Sequence, residues 1–162
     1  MIGRFAVLAG RIRQDLAEIE RIVQRAERAV SATHQSGPNQ DLFIDSAALN
    51  LHDCYSGLER LFEQIASTVD QNVPATRDWH RDLLRQMTVE VTGARPRVIL
   101  PDTAIALDEY RRFRHVVRNV YAFELDPKRI EQLTTGLRPT FDRASAELGG
   151  FASFLEGLAQ EA

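Results

Sequence analysis

Cysteine is almost missing from this chain: Cys54 is the only one in 162 residues. No intramolecular disulfide can form, and a zinc site built on paired CxxC motifs is excluded. Long apolar runs are absent too. No uncharged stretch approaches the ~20 residues a membrane-spanning helix needs. The opening MIGRFAVLAGRIRQDL meets charge too soon for a signal peptide. A reducing cytoplasm is the expected compartment, with no membrane partner. The glycine signatures of nucleotide and hydrolase folds are missing as well: there is no GxxxxGK[ST], no GxGxxG and no GxSxG. Phosphate-loop enzymes, Rossmann proteins and α/β-hydrolases are therefore not indicated. The four histidines, His34, His52, His80 and His115, show neither HxxxH nor HExxH spacing, so local sequence supports no metal site. Finally, a net charge of −3 excludes a general polyanion binder. Any nucleic-acid contact has to come from a local basic patch in an acidic body.

What is present is helical. Charged residues at 27% and hydrophobic ones at 44% describe a soluble globular composition, and the length suits one domain over residues 1–162. Phe5, Leu8, Ile12, Leu16, Ile19, Val23, Ala26 and Val30 recur at three and four, predicting a long first helix over 2–30. THQSGPNQD (33–41) gathers Gly37, Pro38, Asn39 and Asp41 into a loop. A second helix over 44–69 buries Leu51, Tyr55, Leu58, Leu61 or Phe62, Ile65 and Val69, and Asn72-Val73-Pro74 closes it. A shorter helix is expected from Asp78, as N-cap, through Met87. Residues 88–101 (TVEVTGARPRVILP) read as a connector with a few extended residues. Asp126-Pro127 opens a short helix that Gly136 is expected to end. The last helix then runs from 137 to about 158, with Leu137, Phe141, Ala144, Leu148, Phe151, Leu155 and Leu158 as its seam. Cys54 belongs to the core of the second helix, and Trp79 reads as packing. No internal repeat or low-complexity tract appears. The expected fold is all-α: an antiparallel bundle of four main helices with shorter ones between.

The dense polar chemistry lies in LDEYRRFRHVVRNVYAFEL, residues 107–125. As a helix, it carries an apolar stripe of Leu107, Tyr110, Phe113 and Val117. Threaded through the stripe are Arg111, Arg112, Arg114, His115 and Arg118, with no acid between residues 110 and 123. Guanidiniums held this close repel, so the fold must offer them carboxylates, a partner surface or a phosphate-bearing ligand. The bland alternatives are a solvated face, or a helical scaffold pairing these arginines with acids of the first and last helices. His52 beside Asp53 suggests a base with its orienter, but helical neighbours diverge by about 100°.

The string Arg114-His115-Val-Val-Arg118-Asn119-Val-Tyr121 resembles the signature of HEPN-domain ribonucleases, small all-α dimers. More narrowly it is similar to the HepT toxins, whose motif reads Arg, four to six residues, His, any residue, Tyr. Arg114 fits the Arg, His115 the polar residue after it, and Tyr121 the terminal Tyr. NLHDCYSGLERLFEQIA in the second helix and YAFELDPKRIEQL after the motif extend the likeness over roughly residues 44–133. The resemblance implies a homodimer that cleaves RNA without a metal or other cofactor. It also implies a partner, a minimal nucleotidyltransferase antitoxin that silences the toxin by placing AMP on Tyr121. Arg114, Asn119, His115 and Tyr121 become the candidate catalytic residues, with Arg111 and Arg118 on RNA phosphates. One departure stands out: the family's catalytic His is Asn119 here. Asn cannot titrate; it can only orient a group or donate a hydrogen bond. Either His115 takes over the acid–base role, or the chain binds a nucleotidyltransferase, nucleotide or RNA without cleaving.

Overall fold

The computed structural model of the chain describes residues 2–35, 37–119 and 125–161, without the side chains of residues 2, 118 and 119. Among these the architecture is all-α: α1 (Ile2–Thr33), α2 (Gln40–Ile65), α3 (Trp79–Gln86), α4 (Pro101–Asn119) and α5 (Pro127–Gln160), with no strand. The long helices form because their apolar residues fall on one face. Ile12, Ile19, Val23, Leu51, Leu58, Leu61, Leu148 and Leu155 are all within a few per cent of complete burial and share one core. The seam expected for the last helix is buried from Leu137 through Leu155.

Ion pairs give the direction of α1 against α5. Arg13 meets Glu156, Arg138 holds Glu20 and Glu27, and His34 meets Glu131, so the two helices run antiparallel. α1 also packs along α2, closely enough that a Cβ on Gly57 would come within 3.0 Å of Ile19 Cγ1. α4 is antiparallel to α5 as well: Thr103 bonds Glu147 at one end and Tyr110 reaches Leu133 at the other.

One expectation fails on α5. The short helix and the last helix are a single element, with Gly136 and Pro139 both inside it. Gly136 is a packing residue: a Cβ there would stand 3.1 Å from the Tyr110 hydroxyl, which donates to the Leu133 carbonyl at 2.7 Å. Pro139 lacks an N–H, so Thr135 loses its helical donor, yet a 34-residue helix packed on α1 and α4 absorbs one missing bond. The Asp126-Pro127 start holds, with the Asp126 side chain accepting from Lys128 N.

α4 begins earlier than its apolar stripe, at Pro101 in the first-turn position proline favours. Its cap comes from across the fold. Glu147 of α5 accepts from the Leu100 amide at 2.5 Å and from the Thr103 hydroxyl at 2.7 Å. α2 closes through a π-helical turn (Ala66–Asp70) and Gln71, left-handed at φ 53°. The connector contains one isolated bridge, Val91 to Arg95. Arg95 is fully buried, clasps Asp70 through two nitrogens and donates to the carbonyls of Gln86, Val89 and Pro96. A loop of little regular structure is thereby tied to the end of α2. No helix of the described residues is long and apolar enough to cross a membrane.

Candidate functional site

α4 delivers its polar residues in different directions. Successive residues turn by about 100°, so Tyr110, Phe113 and Arg114 face the core while Arg112 and His115 face out. The Arg114 side chain is 8% exposed. Its Nη1 donates to Glu59 Oε1 of α2 at 2.6 Å, and its Nη2 lies 2.8 Å from Nδ1 of His80, on α3. The guanidinium carbon sits 5.4 Å from the centre of the Tyr55 ring, a cation–π distance. Glu59 completes a triangle, its Oε2 lying 2.9 Å from His80 Nδ1. Three helices therefore meet at one cation, one carboxylate and one imidazole.

The cluster is nearly dry. Glu59 is 5% exposed and His80, at 29%, is the member open to solvent. Trp79 stacks on the His80 ring with centroids 3.6 Å apart. Two buried polar atoms beside the pair make no hydrogen bond, Arg114 Nε and the Tyr55 hydroxyl. Burial pushes the Tyr55 phenol well above its ordinary value, and the Glu59 charge adds to that. Burial also raises the Glu63 carboxyl on the next turn of α2, with Glu59 reinforcing the shift and His80 opposing it.

The other candidates are dispersed. Arg111 is bonded to Asp108 at 2.6 Å and is one-fifth exposed; Arg112, two-thirds exposed, reaches the same carboxylate at 3.3 Å. The acids serving these arginines are thus Asp108 of α4 and Glu59 of α2, rather than acids of the first and last helices. Those acids, Glu20 and Glu27, serve Arg138 instead. His115 is exposed on α4. Arg118 and Asn119 continue α4 in backbone, and Tyr121 lies outside the described residues. His52 and Asp53 do touch, at 3.2 Å, on the half-buried side of α2. Cys54 is a core thiol, raised to about 12 by burial. Among the described residues no group of three or more His, Cys, Asp and Glu side chains is placed to hold a metal ion.

Residue 81, next after His80, opens a second feature. Arg81, Arg85 and Arg112 line a groove of about 350 Å³ between α3 and α4, with Leu84, Pro101, Ala104 and Ile105 as its apolar wall. Ile105 is 70% exposed and is part of the apolar wall of this groove. Glu59 and His80 escape the motif-based reading because their partner is 55 and 34 residues away in sequence. One signal pointed to Glu59: a carboxylate falling among Tyr55, Leu58 and Phe62 on an apolar stripe requires a buried cation.

A family model described as HepT-like protein matches residues 46–155, more than half of the chain. The chain belongs to the HepT-like family. The match runs from early α2 to residue 155, within the last two turns of α5, and so contains all three members of the buried cluster and every arginine of the groove. The HepT-like chain is accordingly a HEPN-type helical module, in keeping with its all-α architecture. No curated protein and no solved structure matches it.

Proposed function

We propose that this HepT-like module, acting as one unit over residues 1–162, is the toxin of a toxin–antitoxin pair. It works in the cytoplasm as a homodimeric, metal-independent endoribonuclease. Its partner is a minimal nucleotidyltransferase that places AMP on Tyr121. The observation that carries this reading is Arg114, the motif arginine, tied to a carboxylate and an imidazole where α2, α3 and α4 meet. A cation, an acceptor and a titratable ring within hydrogen-bond reach are the components that phosphodiester chemistry needs.

The roles divide by exposure. Arg114 is buried with Nη1 on Glu59 and Nη2 against the His80 ring, so it acts by holding Glu59 in place. Phosphate contacts fall to Arg111 and Arg118 of α4 and to the groove arginines Arg81, Arg85 and Arg112. Three guanidiniums against the one carboxylate of Asp108 leave the groove basic, which suits a polyanion, and exposed Ile105 offers a base an apolar surface. Asn119 occupies the family's catalytic position, and His115 is an imidazole within the motif itself.

The test incubates the purified protein with mixed tRNA and mRNA in EDTA, wild type beside Arg114→Ala, His115→Ala and Asn119→Ala. Cleavage by wild type that is lost in Arg114→Ala is the expected result. Cleavage that survives Arg114→Ala belongs to a contaminant. A second reading has its own support in Asn119, which cannot move a proton: a HEPN module that binds a nucleotidyltransferase, nucleotide or RNA without cutting. Its signature is retained RNA or nucleotidyltransferase binding with no cleavage by any variant.

A further inference from the structure

The buried triangle holds an imidazole that the motif does not include. His80 Nδ1 faces inward, 2.9 Å from Glu59 Oε2 and 2.8 Å from Arg114 Nη2. Only one of these contacts is a hydrogen bond at a time. A protonated Nδ1 donates to Glu59, and a bare Nδ1 accepts from Arg114. Arg114 already holds Glu59 through Nη1, so the carboxylate can accept the Nδ1–H hydrogen bond without releasing its cation. In that tautomer the lone pair is on Nε2, at the far side of the ring from the buried pair. His80 is also the member of the triangle that reaches solvent, at 29% exposure against 5% for Glu59 and 8% for Arg114. A buried carboxylate fixing the inner nitrogen of a partly exposed ring is the arrangement by which general-base histidines are oriented.

We propose that His80 is the acid–base residue of the ribonuclease site, oriented by Glu59, and that it takes the part Asn119 cannot. The assignment rests on the ribonuclease reading above. Nε2 removes the proton of an RNA 2′-hydroxyl as that oxygen attacks the adjacent phosphorus. The bond from phosphorus to the 5′ oxygen breaks, leaving a 2′,3′-cyclic phosphate. The departing 5′ oxygen takes a proton from water, and His80 returns its own proton to solvent. The charged and titratable groups facing the ring are Glu59 and Glu63 from α2 and Arg114 from α4.

A purely structural His80 would plug the ion pair and do nothing else, so the test needs readouts that a plug would not move. Cleavage of the tRNA and mRNA mixture in EDTA is followed across pH for wild type, His80→Ala, His80→Gln, Glu59→Gln and His115→Ala, each checked for native helicity by circular dichroism. His80→Ala is expected to lose about 10²–10⁴-fold in rate, to lose the limb on which the wild-type rate rises with pH, and to regain activity with added imidazole. Glu59→Gln falls between it and wild type, and His115→Ala retains the limb. If His80→Ala does not fold, His80→Gln is judged by the same loss of the limb and the same imidazole rescue. Wild-type cleavage left unchanged by removing His80 overturns the assignment alone. So does a folded His80 variant whose loss comes without rescue and without a change of pH profile. A wild type that cuts no RNA overturns the ribonuclease reading, and this assignment with it.

Discussion

The Arg114–Glu59 pair makes a quantitative demand on the fold. With side chains 8% and 5% exposed, neither partner can be resolvated if the other is removed. Replacing Glu59 by Ala leaves a guanidinium in the core without its carboxylate, beside the His80 and Tyr55 rings and with an Nε that is already unpartnered. Breaking a buried pair from one side costs about 3–5 kcal/mol. For a chain of this length each kcal/mol moves the thermal midpoint by about 2–4 °C, so Glu59→Ala should fall by about 6–20 °C. Combining it with Arg114→Met removes the stranded charge and fills the space with apolar atoms, and such exchanges are often neutral or stabilising. The double variant should therefore melt above Glu59→Ala and close to wild type. Thermal and urea unfolding of the four proteins of this cycle provide the measurement. Losses that simply add, or a Glu59→Ala loss below about 1 kcal/mol, would refute the claim that the pair is dry and obligatory.

Gly136→Ala tests the crossing of α4 over α5. Helix propensity favours Ala by about 1 kcal/mol, but its Cβ would stand 3.1 Å from the Tyr110 hydroxyl and strain the bond to Leu133. Forfeiting a buried hydrogen bond costs about 1–3 kcal/mol, so urea unfolding should show net loss in wild type and a gain in a Tyr110→Phe background; equal effects in both would defeat the reasoning. Glu147→Ala removes the acceptor for the Leu100 amide and the Thr103 hydroxyl, and should cost about 0.5–2 kcal/mol with faster hydrogen exchange confined to the first turn of α4; uniform acceleration would contradict the capping role. Acid unfolding probes Glu20, whose carboxyl is held below its ordinary value chiefly by its hydrogen bond to Arg138. A depressed folded value means stability present above the unfolded value and lost as pH falls through the folded one. Arg138→Met should flatten that acid limb by under about 1 kcal/mol, since the pair is about one-third exposed; an unchanged limb would assign it to other carboxylates.

Apolar periodicity was a good guide where burial alone decides conformation. The stripes of α1, α2 and α5, the core position of Cys54 and the Asp126-Pro127 helix start were all readable from spacing and capping chemistry. Gly136 misled because its local preference for ending a helix was weighed without the neighbours. Tyr110 needs a residue without a Cβ at its crossing point, and the packing of α5 on α1 offsets one missing backbone bond. Pro101 was taken as part of a connector because the cap that stabilises its helix lies on Glu147, 47 residues away by the Leu100 bond. Arg95 was invisible for a similar reason, since its acceptors lie on Asp70 and on carbonyls that point inward only once the loop is folded. At the site, the motif drew attention to α4 and to Arg114 but not to Glu59 or His80. Local sequence records which charges exist, and tertiary packing decides which of them meet.

That distinction bears on how an Rx4-6H-type arginine can work in this chain. Arg114 lies on the face of α4 that carries Tyr110 and Phe113, so it could reach a phosphate only by leaving Glu59. Its departure would strand a carboxylate that is 5% exposed, at a cost of the same order as the mutation, about 3–5 kcal/mol. An RNA phosphate would have to offset all of that before contributing any affinity. Arg112, two-thirds exposed and shared with Asp108 at 3.3 Å, faces no such penalty. Nor does Arg81, whose bond to Asp78 is exposed and 3.3 Å long. Exposed ion pairs of this kind are worth ~0–1 kcal/mol and exchange readily for a phosphate oxygen. The energetics therefore favour a division of labour for the proposed ribonuclease: the buried motif arginine fixes the carboxylate, and the groove arginines are the ones that could meet a phosphate at little cost.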